Sequence, residues 1–196
     1  MKTLKSLPAL LLLPLIFAGA VQSDQKINGW FFSGSTPGQY TLNLDNQVFK
    51  SGTKSASIQS SVEKPEGFST VMQICNAKNY LGTKIKMTGY IKSKNVTDWS
   101  GMWLRIDSKN PGETLGFDNM QDRPVQGDSD WTKCEIIMDV PEESITLNFG
   151  ALLSGPGKIW FDNVSIEIFD NAVPKTPREP VVSYYSDKPV NTDFEE

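Results

Sequence analysis

The sequence contains no histidine among its 196 residues. This absence excludes the Ser-His-Asp and Cys-His mechanisms, zinc sites with histidine ligands, and acid–base catalysis by imidazole. Basic residues are not in excess either, because 19 Lys and Arg stand against 23 Asp and Glu and give a formal net charge of -4. We therefore expect no nucleic acid partner, since such a partner needs a basic surface. What remains is carboxylate chemistry, or binding without catalysis.

Long apolar runs are lacking except for one at the amino terminus. Lys2 and Lys5 precede the apolar run 7–20, which is interrupted by two prolines and ends in the small-residue sequence Ala-Gly-Ala. This pattern predicts a secretory signal peptide over residues 1–20. A permanent anchor is the alternative, although the run is shorter than the roughly 20 residues of a membrane-spanning helix. We expect an exported protein, periplasmic or extracellular, with no membrane span once the signal is removed.

Cysteine is scarce, with Cys75 and Cys134 as the two examples. After export to an oxidising compartment these two thiols could form a disulfide. Alternatively, each is a small apolar filler of the core. We do not expect a catalytic thiol, because no histidine could activate it.

Helical periodicity is also missing, and from Tyr40 onward the apolar residues recur with a period of two. Short alternating runs are separated by clusters of Gly, Pro, Asn and Asp, which is typical of antiparallel sheets. The pattern predicts eight to ten strands and an all-β, two-sheet antiparallel β-sandwich or jelly roll over residues 27–170. A Pro-rich linker, 171–188, and a tail, 189–196, follow.

Several segments resemble the galactose-binding-like jelly rolls, the fold of many carbohydrate-binding modules. These are 52–58, 131–141 and 157–167, the last of which reads Gly-Lys-Ile-Trp-Phe-Asp-Asn-Val-Ser-Ile-Glu. More narrowly, 29–31, 101–107 and 117–124 look like a sandwich module found alone or attached to helix-turn-helix regulators and erythromycin-esterase-like proteins. The resemblance implies a non-catalytic binding module without a cofactor, and a carbohydrate as the leading ligand.

One departure from the family concerns a short "N, x, D, F, E" strand that usually precedes the Gly-Trp element. Here the matching piece stands in the tail 189–196. We expect this tail to return as an edge strand that places Phe194 in the sandwich, either of its own molecule or of a neighbour in a strand-exchanged homodimer. The alternative is an unstructured acidic tail.

Sugar-binding modules stack an aromatic ring on the sugar and surround it with polar side chains. Alternation places Trp103, Arg105 and Asp107 on the non-core face of one strand. The candidate ligand-binding set comprises Trp99, Trp103, Arg105, Asp107, Asp118, Asn119, Gln121 and Arg123. The alternative is that Trp103 is a core residue and that Asp118, Asp122 and Arg123 hold their loop together by salt bridges.

Two further functions remain open. One is a structural or protein-interaction module of the cell envelope. The other, least favoured, is a carboxylate-dependent hydrolase that pairs Asp107 with Asp118 or Asp122. By the family resemblance, Asp162 and Glu195 could also share a structural calcium ion, although Asp162 could instead cap a turn or pair with a lysine.

Overall fold

The computed structural model of the chain describes residues 26–170 and 184–196. The predicted signal peptide and most of the predicted linker lie outside these residues. The described residues form one short 3-10 helix, Pro37–Gln39, and nine strands: β1 Phe31–Gly34, β2 Tyr40–Asp45, β3 Ser55–Ser60, β4 Phe68–Asn76, β5 Thr83–Ser108, β6 Thr114–Asp118, β7 Val125–Val140, β8 Ser144–Ser154 and β9 Lys158–Asp170. No helix in these two ranges is long and apolar enough to cross a membrane.

Strand β5 joins the two layers of the sandwich. Its amino-terminal part pairs with β7 and β9, and its carboxyl-terminal part pairs with β8 and β6. The first layer therefore contains β1, β4, β8, β6 and the end of β5, whereas the second contains β2, β3, β9, β7 and the beginning of β5. All of these pairings are antiparallel. This arrangement confirms the predicted all-β sandwich.

The core lies between the layers and follows the alternation along β5. Met102, Leu104 and Ile106 are fully buried in it, as are Ile85 and Met87 at the other end of the strand. Burying one large apolar side chain stabilises a fold by about 1.5–3 kcal/mol, so these alternating positions fix the register of the strand. The residues between them lie on the outer faces of the two layers.

The carboxyl-terminal segment 184–196 packs on the sandwich of its own chain. Phe194 is fully buried against Trp30, with 4.9 Å between the ring centroids. The expected edge strand is not found in 189–196, because Asn191 and Phe194 have positive φ angles of 45° and 59° that break an extended conformation. One isolated parallel bridge joins Ser186 to Cys75. The strand-exchanged homodimer stays a prediction.

The two cysteines are free and buried. The disulfide that the sequence allowed between them is not formed, and the alternative of two core residues describes them. Cys75 is paired with Leu147 in the first layer, whereas Cys134 is paired with Gly89 in the second. Burial raises the pKa of Cys75 to about 12 and that of Cys134 to about 11. Both residues therefore remain protonated thiols that fill the core.

Candidate functional site

The end of β5 presents a row of large and polar side chains on the outer face of the first layer. Trp103, Arg105 and Asp107 alternate with the buried core residues of the strand, as predicted. Trp99 continues the row and is partly buried. Because alternate residues share a face, the row runs along the whole end of the strand.

Trp103 forms the floor of this outer face. Its side chain is 7% exposed, and its Nε1 donates a hydrogen bond of 2.7 Å to Thr70 Oγ1 on β4. Strand β8 separates these two residues and carries Gly150 directly opposite Trp103. The indole therefore lies across β8 where no side chain obstructs it. The burial of Trp103 agrees with the alternative of a core residue, although its ring lies outside the main core cluster, and it offers no freely exposed stacking surface.

Arg105, Asp107 and Asn148 form one hydrogen-bonded network beside this floor. Arg105 donates from Nε to Asp107 Oδ1 and from its terminal nitrogen to Oδ2, both at 2.9 Å. Asn148 Nδ2 donates to Asp107 Oδ2 at 2.9 Å and to Thr146 Oγ1 at 3.2 Å. The bidentate pair holds the guanidinium in a fixed plane. The Arg105 side chain nevertheless remains 42% exposed, so its guanidinium can still donate a hydrogen bond to a ligand.

The network lines a pocket of about 570 Å³, named here the Arg105 pocket. Loop 108–114 forms one wall, and its Glu113 accepts hydrogen bonds from Ser108 and from Asn110, the latter at 2.7 Å. These two bonds lower the pKa of Glu113. Tyr185 of the carboxyl-terminal segment completes the rim, and its backbone oxygen accepts a bond of 2.7 Å from Asn76. Four segments distant in sequence thus build one site, because Ile74 of β4 also lines the pocket.

The loop that follows β6 does not line the Arg105 pocket. Arg123 pairs with Asp118 at 2.6 Å and with Asp122 at 2.7 Å, and Asn119 accepts a bond from the backbone N–H of Gln121 at 3.2 Å. These contacts match the alternative prediction of a loop held together by salt bridges. The residues that sequence reasoning missed are Thr146, Asn148 and Tyr185. A polar position inside the apolar run of β8 was a usable signal for Asn148.

Asp162 and Glu195 lie near each other, but both act as acceptors for the loop before β3. Asp162 Oδ2 accepts from the N–H groups of Lys50 at 2.7 Å and Ser51 at 3.1 Å. Glu195 Oε1 accepts from those of Thr53 at 2.6 Å and Lys54 at 2.9 Å. Donors that point at these oxygens disfavour a cation there, and calcium needs 6–8 oxygen ligands. A structural calcium ion shared by Asp162 and Glu195 therefore stays an untested prediction.

No protein-family model matches the chain. A curated relative is 38% identical over 174 residues, which are 88% of this chain and 58% of the relative. It is named an uncharacterized HTH-type transcriptional regulator, YbfP, of Bacillus subtilis. The chain thus spans somewhat more than half of the relative's length. The described residues contain no α-helix, so nothing in them corresponds to the helix-turn-helix of that name.

Solved structures share the fold at low sequence identity. The CBM22-1 xylan-binding domain of Paenibacillus barcinonensis Xyn10C has a TM-score of 0.52 and 15% identity, over 74% of this chain and 88% of that domain. The C-terminal family 22 carbohydrate-binding module of Clostridium thermocellum Xyn10B has a TM-score of 0.52 and 9% identity, over 77% and 92%. The chain has the jelly-roll fold of carbohydrate-binding modules.

A third structure widens the range of proteins with this fold. The enzymatically active domain of tailspike protein 4 of bacteriophage CBA120 has a TM-score of 0.56 and 13% identity, over 74% of this chain and 20% of that domain. A sandwich like this one thus occurs both as a module and within a larger enzyme. Function must be argued from the site of this module and not from its fold.

Proposed function

We propose that the chain is an exported, non-catalytic module that binds a carbohydrate in the Arg105 pocket. The observation that carries the proposal is the fixed network of Arg105, Asp107 and Asn148 at an open pocket with a partly exposed tyrosine on its rim. A sugar presents hydroxyl groups that both donate and accept hydrogen bonds. The network offers both hydrogen-bond donors and hydrogen-bond acceptors from one side of the pocket.

Tyr185 supplies the flat apolar surface that a sugar ring packs against. Its side chain is 39% exposed, and its backbone is held by Asn76. A partly exposed aromatic ring gives contact area at little entropic cost, because only two side-chain torsions must be fixed. The polar groups of the pocket are ordered before the ligand arrives, which further reduces the cost of binding. The fold shared with xylan-binding domains supports the same ligand class.

The carboxylates of the pocket argue against hydrolysis. A glycosidase needs a general acid with a raised pKa. Hydrogen bonds from Ser108 and Asn110 lower the pKa of Glu113, and Asp107 is held by the guanidinium of Arg105. A lowered pKa makes Glu113 a poor proton donor, and the contacts of Asp107 are those of a bidentate ion pair. Sustained turnover of any glycan by the purified protein would contradict this part of the proposal.

Carbohydrate binding is tested by a glycan array, followed by calorimetry with each sugar retained. We expect Tyr185→Ala and Arg105→Ala to weaken binding at least about tenfold, because each removes a contact of about 1.4 kcal/mol or more. Tyr184→Ala is the matched control, since Tyr184 is 91% exposed and does not line the pocket. An empty array, or equal losses in the two tyrosine variants, would contradict binding at this pocket.

Export rests on the sequence pattern of residues 1–20. Its test is the mass of the protein recovered from cells that carry the complete gene, together with the fraction in which it is found. We expect cleavage after the small-residue sequence that ends at Ala20, and recovery outside the cytoplasm. Full-length protein in the cytoplasm would contradict export and would leave the binding experiment unaffected.

A second function, a protein-interaction module, is favoured by two exposed phenylalanines at the edges of the first layer. Phe31 on β1 is 41% exposed and Phe117 on β6 is 56% exposed. Apolar side chains at exposed strand edges suit contact with another chain. If the array is empty and sedimentation shows association that Phe117→Ala removes, this function replaces the first.

A further inference from the structure

A second pocket of about 640 Å³ lies on the outer side of the second layer, far along β5 from the Arg105 pocket. It is named here the Lys94 pocket and is lined by Gln59, Ser60, Lys94, Asn95, Thr97, Pro156, Gly157, Lys158 and Trp160. These residues belong to the end of β3, the middle of β5, the turn between β8 and β9, and the beginning of β9. No acidic side chain is among them.

Two lysines stand directly opposite each other in this pocket. Register pairs Gln59 with Lys158 across β3 and β9, and Lys158 with Lys94 across β9 and β5. Equal charges directly opposite on neighbouring strands destabilise a sheet. Such a pair needs negative charge close by, which either the chain itself or a bound ligand can supply.

The charge of Lys158 is already balanced within the chain. Its Nζ lies 3.2 Å from Asp45 Oδ2 and 4.4 Å from the centre of the Trp160 ring. Trp160 Nε1 donates to the same Asp45 oxygen at 2.7 Å. Lys158 is therefore a fixed and neutralised part of the wall.

Lys94 has no ion pair among the described residues. Asp128 and Asp130 lie on β7, which pairs with this part of β5, and each makes a contact with another residue. Asp128 accepts the backbone N–H of Asn95 at 2.6 Å, and Asp130 pairs with Lys92 at 2.7 Å. Within the two described ranges, Lys94 is therefore a positive charge of the pocket that no carboxylate pairs with.

Neutral hydrogen-bonding groups surround this charge. The side chains of Gln59, Asn95 and Thr97 have no hydrogen-bond partner within 26–170 and 184–196. The backbone beneath them is closely packed, because a Cβ added at Gly157 would lie 2.8 Å from Asn95 O. One cation with three free polar side chains matches a ligand that carries one carboxylate and several hydroxyls.

We propose that the Lys94 pocket is a second binding site, specific for an acidic sugar whose carboxylate pairs with Lys94. The hydroxyl groups of the sugar are received by Gln59, Asn95 and Thr97. The anion part of this proposal stands on the geometry above, whereas the sugar part rests on the proposed carbohydrate function. Binding at this pocket is independent of Arg105.

The experiment uses trigalacturonic acid and its fully methyl-esterified form as probes, followed by calorimetry and by the indole N–H signals in nuclear magnetic resonance. We expect the acid to bind and to shift the Trp160 indole signal. The ester should bind at least about tenfold more weakly, and added salt should lower the affinity for the acid. Lys94→Gln is expected to abolish the difference between acid and ester. Lys84→Gln, on the same face of β5, is the control and leaves the affinity unchanged.

The outcomes separate the two sites. Equal binding of acid and ester, or an acid affinity unchanged in Lys94→Gln, overturns the second site. Loss of acid binding in Arg105→Ala with Lys94→Gln unaffected also overturns it and places the ligand in the first pocket. Binding of free acetate with the same affinity as the acid overturns the sugar part and leaves an anion site. If the glycan array retains no neutral sugar, that result counts against the Arg105 pocket and not against the Lys94 pocket.

Discussion

At the scale of single residues, Asp162 shows how one buried carboxylate orders a loop. Its two oxygens accept the backbone N–H groups of Lys50, Ser51 and Asn163. Burial raises the pKa of Asp162, whereas these backbone bonds lower it, and burial has the larger effect. The sequence predicts Asp162 as a calcium ligand, a turn cap or the partner of a lysine, and its contacts are those of a turn cap.

Asp162→Ala should lower the free energy of unfolding by about 3 kcal/mol, because it leaves three backbone donors in a partly buried site without their acceptor. Urea unfolding measures the change, and Asp193→Ala is the control because Asp193 is exposed.

The same two variants and the natural protein also test the predicted calcium site. A rise in melting temperature on adding calcium, lost in Asp162→Ala, would support the ion, whereas equal melting in calcium and in chelator would oppose it.

Asp45 makes the stability of the second layer sensitive to acid. Burial raises its pKa, but hydrogen bonds from Trp160, Gln47, Lys158 and Val48 together outweigh burial and lower the pKa from 3.8 to about 2. A carboxylate with a lowered folded-state pKa stabilises the protein above its unfolded-state pKa. That contribution, about 2 kcal/mol, is lost as the pH falls from about 4 to about 2.

Asp45→Asn should therefore be less stable than the natural protein at pH 7 and should show a smaller loss of stability between pH 4 and pH 2. Melting temperatures across this range measure the difference. The comparison with Asp139→Asn controls for a general change of charge, because Asp139 forms one exposed and longer ion pair of 3.6 Å with Lys84. Parallel acid profiles for the natural protein and Asp45→Asn would contradict the assigned role.

At the scale of elements, alternation predicted β5 well and other elements less completely. The outer position of Trp103 and Arg105 followed from a period of two, which a strand imposes on its side chains. The same period cannot say how far a ring is covered, because that depends on Gly150 and Thr70 of other strands. Tyr185 could not be predicted at all, since no local pattern reveals where a distant segment packs.

The loop after β6 provides a test at this scale. Arg123 has a side chain that is 41% exposed and forms two ion pairs within the loop, which at such exposure contribute less than about 1 kcal/mol. Arg123→Ala should thus change thermal stability little and leave glycan affinity unaltered, in contrast to Arg105→Ala. A loss of affinity as large as that of Arg105→Ala would return Asp118, Asn119, Gln121 and Arg123 to the binding site.

At the scale of the whole molecule, the carboxyl-terminal segment connects the core to the Arg105 pocket. Phe194 joins the aromatic cluster of Trp30 and Phe161, with centroid distances of 4.9 and 5.9 Å. Gln73 exchanges two hydrogen bonds of 2.8 Å with the backbone of Val190. Tyr185 stands at the other end of this segment, on the rim of the pocket. The same segment thus contributes Phe194 to the core and Tyr185 to the pocket.

Phe194→Ala should loosen the whole segment, because truncating a buried phenylalanine costs about 3–5 kcal/mol. We expect faster amide hydrogen exchange across 184–196 and a weaker affinity for any sugar bound beside Tyr185. Binding and docking are linked, so saturating sugar should slow that exchange. The factor should equal the ratio of the sugar affinities with the segment docked and with it released. Ile136→Ala, in the core at β7, is the control: it should lower stability and leave both the exchange of 184–196 and the affinity unchanged. An affinity unaltered by Phe194→Ala, with the segment shown to be released, would mean that Tyr185 is not part of the site.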